Sequence, residues 1–377
     1  MDIGELNRRT AKEINFNLCS AKLALIKSIG VSAIKDFGIN FTHNLSMISS
    51  KNIVLFTPVY YSSPGTQIRV DLIKKSLELA GVSTRLIVYG EHVAKRFYNL
   101  LGDKLLTKDV FWRIIGRRIA DRIIDYNPDA VIMFTDVCAS AIPSLVKRGV
   151  KVIFSIENLT PDYKGYPSTK ASKFYELLRN YSYEADLIIT PSLTLEQRLK
   201  ELDIMADTVL IGVEKVISLM DALNRDRIIL HAGQLDDISK IRIIQSIADN
   251  QKILVHDFGK LTKKLKHPNV KKYRFENPVE ALEFCKKASI GLVIEYRKTY
   301  TLSRLYYHVS LLQPIIGRGA SPWIDEANRL GIGIYSTSML EDILSHYEKY
   351  VSLLVNLQEH LKIPDVHNRL IDFLKRL

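Results

Sequence analysis

From Lys51 onward the chain repeats one pattern: a short β-branched run ends in a turn-rich loop, and a longer segment of helical period follows. That is the pattern of parallel βαβ units, in which strands covered on both faces read as continuous apolar runs. It predicts strands at residues 53–57, 84–88, 130–134, 150–155, 187–190 and 209–211, enough for one doubly wound sheet. The rhythm restarts with strands at 227–231, 253–256, 270–273, 290–294, 314–317 and 333–335, a second sheet of the same kind. Between the two sets, Ser218 to Arg225 carries charge without a strand pattern, which puts a boundary near residue 220. The reading is α/β, with two tandem Rossmann-like domains at 51–220 and 221–350 facing across a cleft. A helical extension is expected over 1–50, where Ala21-Lys-Leu-Ala-Leu-Ile-Lys-Ser-Ile has amphipathic spacing, suited either to packing or to an acidic membrane surface. C-terminal helices at 351–377 are expected to pack back on the first domain.

Composition narrows the class. Hydrophobic residues make up 47% of the 377 and charged residues 25%, the balance of a globular chain, so disorder as the main state is excluded. The net charge of +12 favours phosphates or acidic surfaces. Lys and Arg are spread through both domains, without the reader motif or basic stripe of a nucleic-acid-binding protein, which leaves that class as the weakest alternative. Cys19, Cys138 and Cys285 lie far apart and match no metal-ligand spacing. They fit a reduced, cytoplasmic setting, and no run of about eighteen apolar residues is present to span a bilayer.

Ligands of open parallel sheets bind beyond the carboxyl ends of the strands, so the loops there are the candidates for chemistry. The first strand runs into Thr57-Pro-Val-Tyr-Tyr-Ser-Ser-Pro-Gly-Thr and then a helix. Tyr60, Tyr61 and Ser62 offer stacking faces and hydroxyls for an acceptor, Gly65 allows close backbone approach, and Arg69 reinforces the positive helix start. No Gly-x-Gly-x-x-Gly or Walker sequence follows any strand. Glu157, just past the fourth strand, is a candidate general base, with Asp136 a second; helix capping or pairing with a Lys is the competing role for such a carboxylate. His92 stands alone and reads as structural.

In the second domain, Gly233 and Gln234 follow the first strand, and Lys240 lies where it meets a diphosphate. Arg274 and Phe275 form a ledge for a flat base. Glu295-Tyr-Arg-Lys-Thr-Tyr-Thr-Leu-Ser-Arg interleaves cations with hydroxyls just before a helix, a composition suited to phosphate.

These segments carry a resemblance. Thr301-Leu-Ser-Arg-Leu-Tyr-Tyr-His-Val-Ser-Leu-Leu-Gln-Pro-Ile-Ile is similar to the Lys-Leu-x-x-Tyr-Leu-Ala-x-Gly-x-Pro-Val-Ile segment of GT-B glycosyltransferases, nearest to the bacterial galactofuranosyl- and adhesin-glucosyltransferases. The continuation from Gly317 to Ile334 and the Gly233-Gln-Leu loop resemble the same family. The resemblance covers roughly residues 51–340 and implies an acceptor on the first domain and a nucleotide sugar, UDP-linked by preference, chiefly on the second. Arg304 stands in place of the family's phosphate-contacting Lys, and Arg297, Lys298 and Ser303 join it, with Tyr296, Tyr300, Thr301 and Leu305 alongside. The pair of Glu eight positions apart in many retaining members is absent: Thr299 and Tyr307 stand at those places. The implied activity is metal-independent transfer of a sugar to a hydroxyl of a glycan, a lipid-linked or a small-molecule acceptor, without a bound cofactor. Retention of configuration follows from the likeness alone; inversion requires a base, first Glu157 or Asp136. A nucleotide-sugar epimerase or hydrolase is the alternative of the same architecture. The basic surplus adds an expected seat on the acidic inner face of the membrane.

Overall fold

A computed structural model describes residues 51–58, 64–88, 107–233, 235–257, 261–274, 278–319 and 322–376. The amphipathic segment at 21–29 and His92 lie outside them. The N-terminal half runs β1 (Ile53–Thr57), α1 (Pro64–Leu79), β2 (Thr84–Val88), α2 (Asp109–Ile124), β3 (Ala130–Phe134), α3 (Ile142–Val146), β4 (Lys151–Ser155), α4 (Thr160–Lys164), α5 (Ser168–Ser182), β5 (Leu187–Thr190), α6 (Leu193–Lys200) and β6 (Asp207–Thr208). After α7 (Leu219–Leu223) the C-terminal half runs β7 (Ile229–Gly233), α8 (Ile238–Ala248), β8 (Ile253–Asp257), β9 (Val270–Tyr273), α9 (Pro278–Cys285), β10 (Ile290–Glu295), α10 (Ser303–Ser310), β11 (Ile315–Gly319), α11 (Trp323–Arg329) and β12 (Ile334–Tyr335). Three helices close the chain: α12 (Leu340–Ser345), α13 (Tyr347–Leu361) and α14 (Asn368–Arg376). No helix among the described residues is long and apolar enough to cross a membrane.

All strand pairings among the described residues are parallel. The first sheet has the order β2-β1-β3-β4-β5-β6 and the second β12-β11-β10-β7-β8-β9, so the direction in which strands are added reverses between β1 and β3 and again between β7 and β10. Such reversals open a crevice at the carboxyl ends of the two flanking strands. Every residue of β1, β3, β7 and β10 is buried, which explains why the apolar runs were legible as strands.

Strand ends depart from the predicted bounds for local reasons. The sixth strand lies at 207–208, not 209–211. The carbonyl of Val209 is taken by Arg69 Nη1 at 2.7 Å, and Gly212 then turns the backbone at φ 81°. The seventh begins at Ile229 and ends at Gly233, two residues later than expected, which draws Ala232 and Gly233 into the strand. The eleventh starts after Pro314, which has no N–H to give a ladder, and reaches Gly319.

The C-terminal segment crosses between the halves. Val213 bridges Lys362, and Gly212 lies so close to Ile363 that a Cβ there would stand 2.5 Å from its Cγ2. From there α14 seats Leu370, Ile371 and Leu374 in the core that also holds Ile53, Leu55, Ile73 and Phe134 of the N-terminal half. Buried His367 ties the crossing down. Its Nε2–H donates to the Leu210 carbonyl at 2.9 Å, and its Nδ1 accepts from the Ser76 hydroxyl at 2.6 Å.

Candidate active site

A charged cluster occupies the crevice at the carboxyl ends of β7 and β10. Glu295 ends β10 and is 1% exposed. Its Oε1 accepts from Arg297 Nε at 2.9 Å and from the Arg297 backbone N–H at 3.1 Å; its Oε2 accepts from Arg297 Nη2 at 2.7 Å and Arg304 Nη2 at 3.1 Å. Lys240, in the first turn of α8 and 2% exposed, places Nζ 3.7 Å from Glu295 Oε1 and 2.8 Å from Asp236 Oδ1. Three cations thus converge on one carboxylate. Burial alone would raise the Glu295 pKa, but the Arg297 hydrogen bonds and the Lys240 charge outweigh it and hold the carboxyl at about 2. Burial lowers the pKa of Arg304, and Glu295 opposes that shift; the hydrogen bond to Glu295 raises that of Arg297.

Arg304 depends on a glycine. A Cβ at Gly233 would lie 2.4 Å from Arg304 Nη1, so only a residue without a side chain lets the guanidinium lie across the end of β7. Nη1 itself is buried without a hydrogen-bond partner among the described residues. An unpaired buried cationic donor at a crevice is a place where an anion gains most.

On the N-terminal side, Glu157 lies two residues past β4. Its Oε1 accepts from Ser155 Oγ at 2.7 Å and lies 2.8 Å from Arg69 Nε. Arg69 is fully buried on α1. Burial raises the Glu157 pKa against the pull of Arg69 and Ser155, and it lowers that of Arg69 against the pull of Glu157. Arg69, expected to greet an anion at the helix start, is instead committed to Glu157, Ser155 and the Val209 carbonyl, with only Nη2 unpartnered. Asp136, also raised by burial, spends its Oδ2 on the Thr160 N–H at 2.7 Å, at the start of α4. Of the two acids, Glu157 is the one not used to cap a helix. It is 12% exposed in its side chain.

The two sides meet closely. A Cβ on Gly65 at the start of α1 would stand 3.1 Å from Ser303 Oγ at the start of α10. The loop into α10 is held by the other half: Asn158 Oδ1 accepts from Thr299 Oγ1 at 2.8 Å and from the Tyr300 N–H at 3.1 Å, and Ser192 Oγ donates to the Tyr300 carbonyl at 3.1 Å. Arg297 donates to the Tyr163 hydroxyl and lies over that ring, 4.9 Å from its centroid. Glu326 of α11 accepts the N–H groups of Leu193 and Thr194, at 3.0 and 2.8 Å, at the start of α6.

Several expected donor contacts are placed elsewhere. Tyr300 is 3% exposed, packs in the N-terminal core and donates its hydroxyl to Asp162, so it joins the halves. Leu305 is 1% exposed in the C-terminal core, and its N–H is taken by the Leu302 carbonyl at 2.9 Å. Thr301 is buried. Lys298 is exposed, 3.7 Å from Asp162. Arg274 and Tyr296 are exposed. Tyr307 packs in the apolar cluster with Cys285 behind α10, and Thr299 is bound to Asn158, so neither supplies the missing carboxylate pair. Tyr60, Tyr61, Ser62, Gln234 and Phe275 lie outside the described residues. Glu295, Asp236, Tyr163 and Asn158 were given no role by the sequence. An acid ending the otherwise apolar run Ile-Gly-Leu-Val-Ile is the one available signal for Glu295. Among the described residues no group of His, Cys, Asp or Glu is arranged to hold a metal ion.

No protein-family model matches the chain, and no curated protein matches it significantly in sequence. Solved structures do match it in fold. A UDP-forming α,α-trehalose-phosphate synthase from Burkholderia vietnamiensis superposes with TM-score 0.60 at 8% identity, over 87% of this chain and all of the other. Alr3699/HepE of Anabaena, solved with UDP-glucose, gives 0.58 at 10%, covering 87% of this chain and 100% of that one. A putative UDP-N-acetylglucosamine 2-epimerase from Listeria monocytogenes gives 0.54 at 12%, covering 85% and 94%. At such identities the likeness is one of fold alone, and that fold is the two-sheet GT-B architecture.

Proposed function

We propose that the protein transfers a glycosyl group from a nucleoside diphosphate sugar, UDP-linked by preference, to an acceptor hydroxyl. The observation that carries this reading is the convergence of Arg297, Arg304 and Lys240 at the end of β10, with an unpaired Arg304 Nη1 cradled against Gly233. As the bond between the anomeric carbon and the diphosphate oxygen breaks, its electron pair stays on that oxygen, and a fixed array of cations stabilises the growing charge. The acceptor oxygen forms the new bond to the anomeric carbon. In the retaining course, which the resemblance favours, the hydroxyl proton passes to the departing diphosphate oxygen; in an inverting course Glu157 takes it. The arginines and Lys240 supply the positive charge that a divalent cation supplies elsewhere, so turnover is expected to survive chelation. Solved neighbours titled UDP-forming or bound to UDP-glucose support the choice of donor.

The neighbour titled a UDP-N-acetylglucosamine 2-epimerase keeps a second reading in view. NMR analysis of UDP-glucose incubated with the protein, EDTA and a panel of hydroxyl acceptors separates the two. Transfer releases UDP together with a new glycoside. Sugar inverted at a ring carbon, or free sugar without glycoside, would contradict it.

A further inference from the structure

The crevice that gathers three cations also holds two acids, and in a site meant for an anion their presence needs a reason. Glu295 is the more buried, and its position is fixed from both sides. Trp323 Nε1 donates to its carbonyl at 3.0 Å, and a Cβ on Gly319 of the neighbouring strand would stand 2.2 Å from the same oxygen. Its carboxylate takes two side-chain N–H groups of Arg297 and one of Arg304, so the two guanidinium planes are set by one rigid strand end. Arg297 is nearly exhausted by these bonds and by Tyr163, with Asp236 3.5 Å from Nη1. Arg304 is not: Nη2 is held by Glu295 while Nη1 is left buried and unpaired.

Resting on the donor site proposed above, we infer that Glu295 is a positioning residue for the donor diphosphate: it anchors Arg297 and Arg304 so that the free edge of Arg304, backed by Gly233, meets the phosphate already oriented. Preorganised donors gain more from an anion than mobile ones, because the ordering of their side chains is complete before the ligand arrives. The role is distinct from that of a bystander acid, and the two differ in sign. A carboxylate that merely shares the crevice repels a diphosphate, so its neutralisation tightens binding. A carboxylate that holds the arginines in place strengthens binding on balance, and its neutralisation loosens it.

Calorimetric titration of UDP into the wild-type chain and into Glu295→Gln reads that sign. The expected result is binding by both, with Kd raised at least tenfold in the variant despite its added positive charge. Glu295→Asp, which keeps the charge and shortens the reach by one methylene, is expected to weaken UDP as well, and it carries the test if Glu295→Gln does not fold. Unchanged or tighter UDP binding by the folded variants overturns the positioning role and leaves the donor site standing. Absence of UDP binding by the wild type overturns both.

Discussion

Glu157 with Arg69, and Glu295 with Arg297, Arg304 and Lys240, are ion pairs largely withdrawn from water. Removing two charges from water costs several kcal/mol per ion, and apolar residues of similar volume often stabilise a fold as well or better, so such groups are poor evidence of stability and better evidence of a site. The buried histidines are a different matter. His367 spans the two halves as a neutral ring, and burial, reinforced by the Arg69 charge, depresses its pKa to about 4. The unfolded chain, with an ordinary His near pH 6.5, binds more protons between those values, so this contribution is complete above about pH 6.5 and is lost as pH falls towards 4. Its size is on the order of 3 kcal/mol. His231, at about 3, and His308, at about 4, act in the same sense, while burial shifts Glu157 and Asp136 the other way. The difference between wild type and His367→Gln isolates one ring: in urea unfolding at pH 7, 5.5 and 4, the gap is expected to narrow as pH falls, and a constant gap contradicts the assignment. At this scale the sequence displayed the cations Arg297 and Arg304, because loop arginines before a helix stand out. It gave no role to Glu295, the carboxylate they share, and it hid the pairing of Arg69 with Glu157, which are joined across 88 positions by folding alone.

Among the elements, the strands were readable because parallel strands covered on both faces leave uninterrupted apolar runs, as in β3 and β10. Their ends were less so. β6 stops where Arg69 captures the Val209 carbonyl, and no local pattern announces a capture from another element. The same holds for the start of α6, whose first two N–H groups find Glu326 of α11, a fully buried carboxylate 133 and 132 residues further on. Unpaired helix-start N–H groups favour such an anion. Glu326→Ala is expected to lower stability by about 1–2 kcal/mol, the worth of a lost helix cap. Hydrogen exchange at Leu193 and Thr194 should accelerate more than at the far end of α6. Unchanged exchange at those two amides would show that the carboxylate does not join the halves.

Across the molecule, both sheets reverse direction at one interior point, and the candidate residues cluster at the strand ends beside these reversals: Gly65 and Asp136 after β1 and β3, Gly233 and Glu295 ending β7 and β10. The tandem α/β architecture was legible from the repeated rhythm. What the rhythm could not carry is how closely the halves engage, since Tyr300 read as a donor contact and proves to be a plug in the N-terminal core. The proposed reaction rests on an anion site at the end of β10, and calorimetric titration of UDP into wild type and Arg304→Ala tests it most directly. A charge-assisted hydrogen bond is worth about 1.5–3 kcal/mol, so the variant, folded by its melting curve, should bind UDP roughly 10- to 100-fold more weakly. Equal affinity in the two proteins, or no heat from the wild type, would contradict the account.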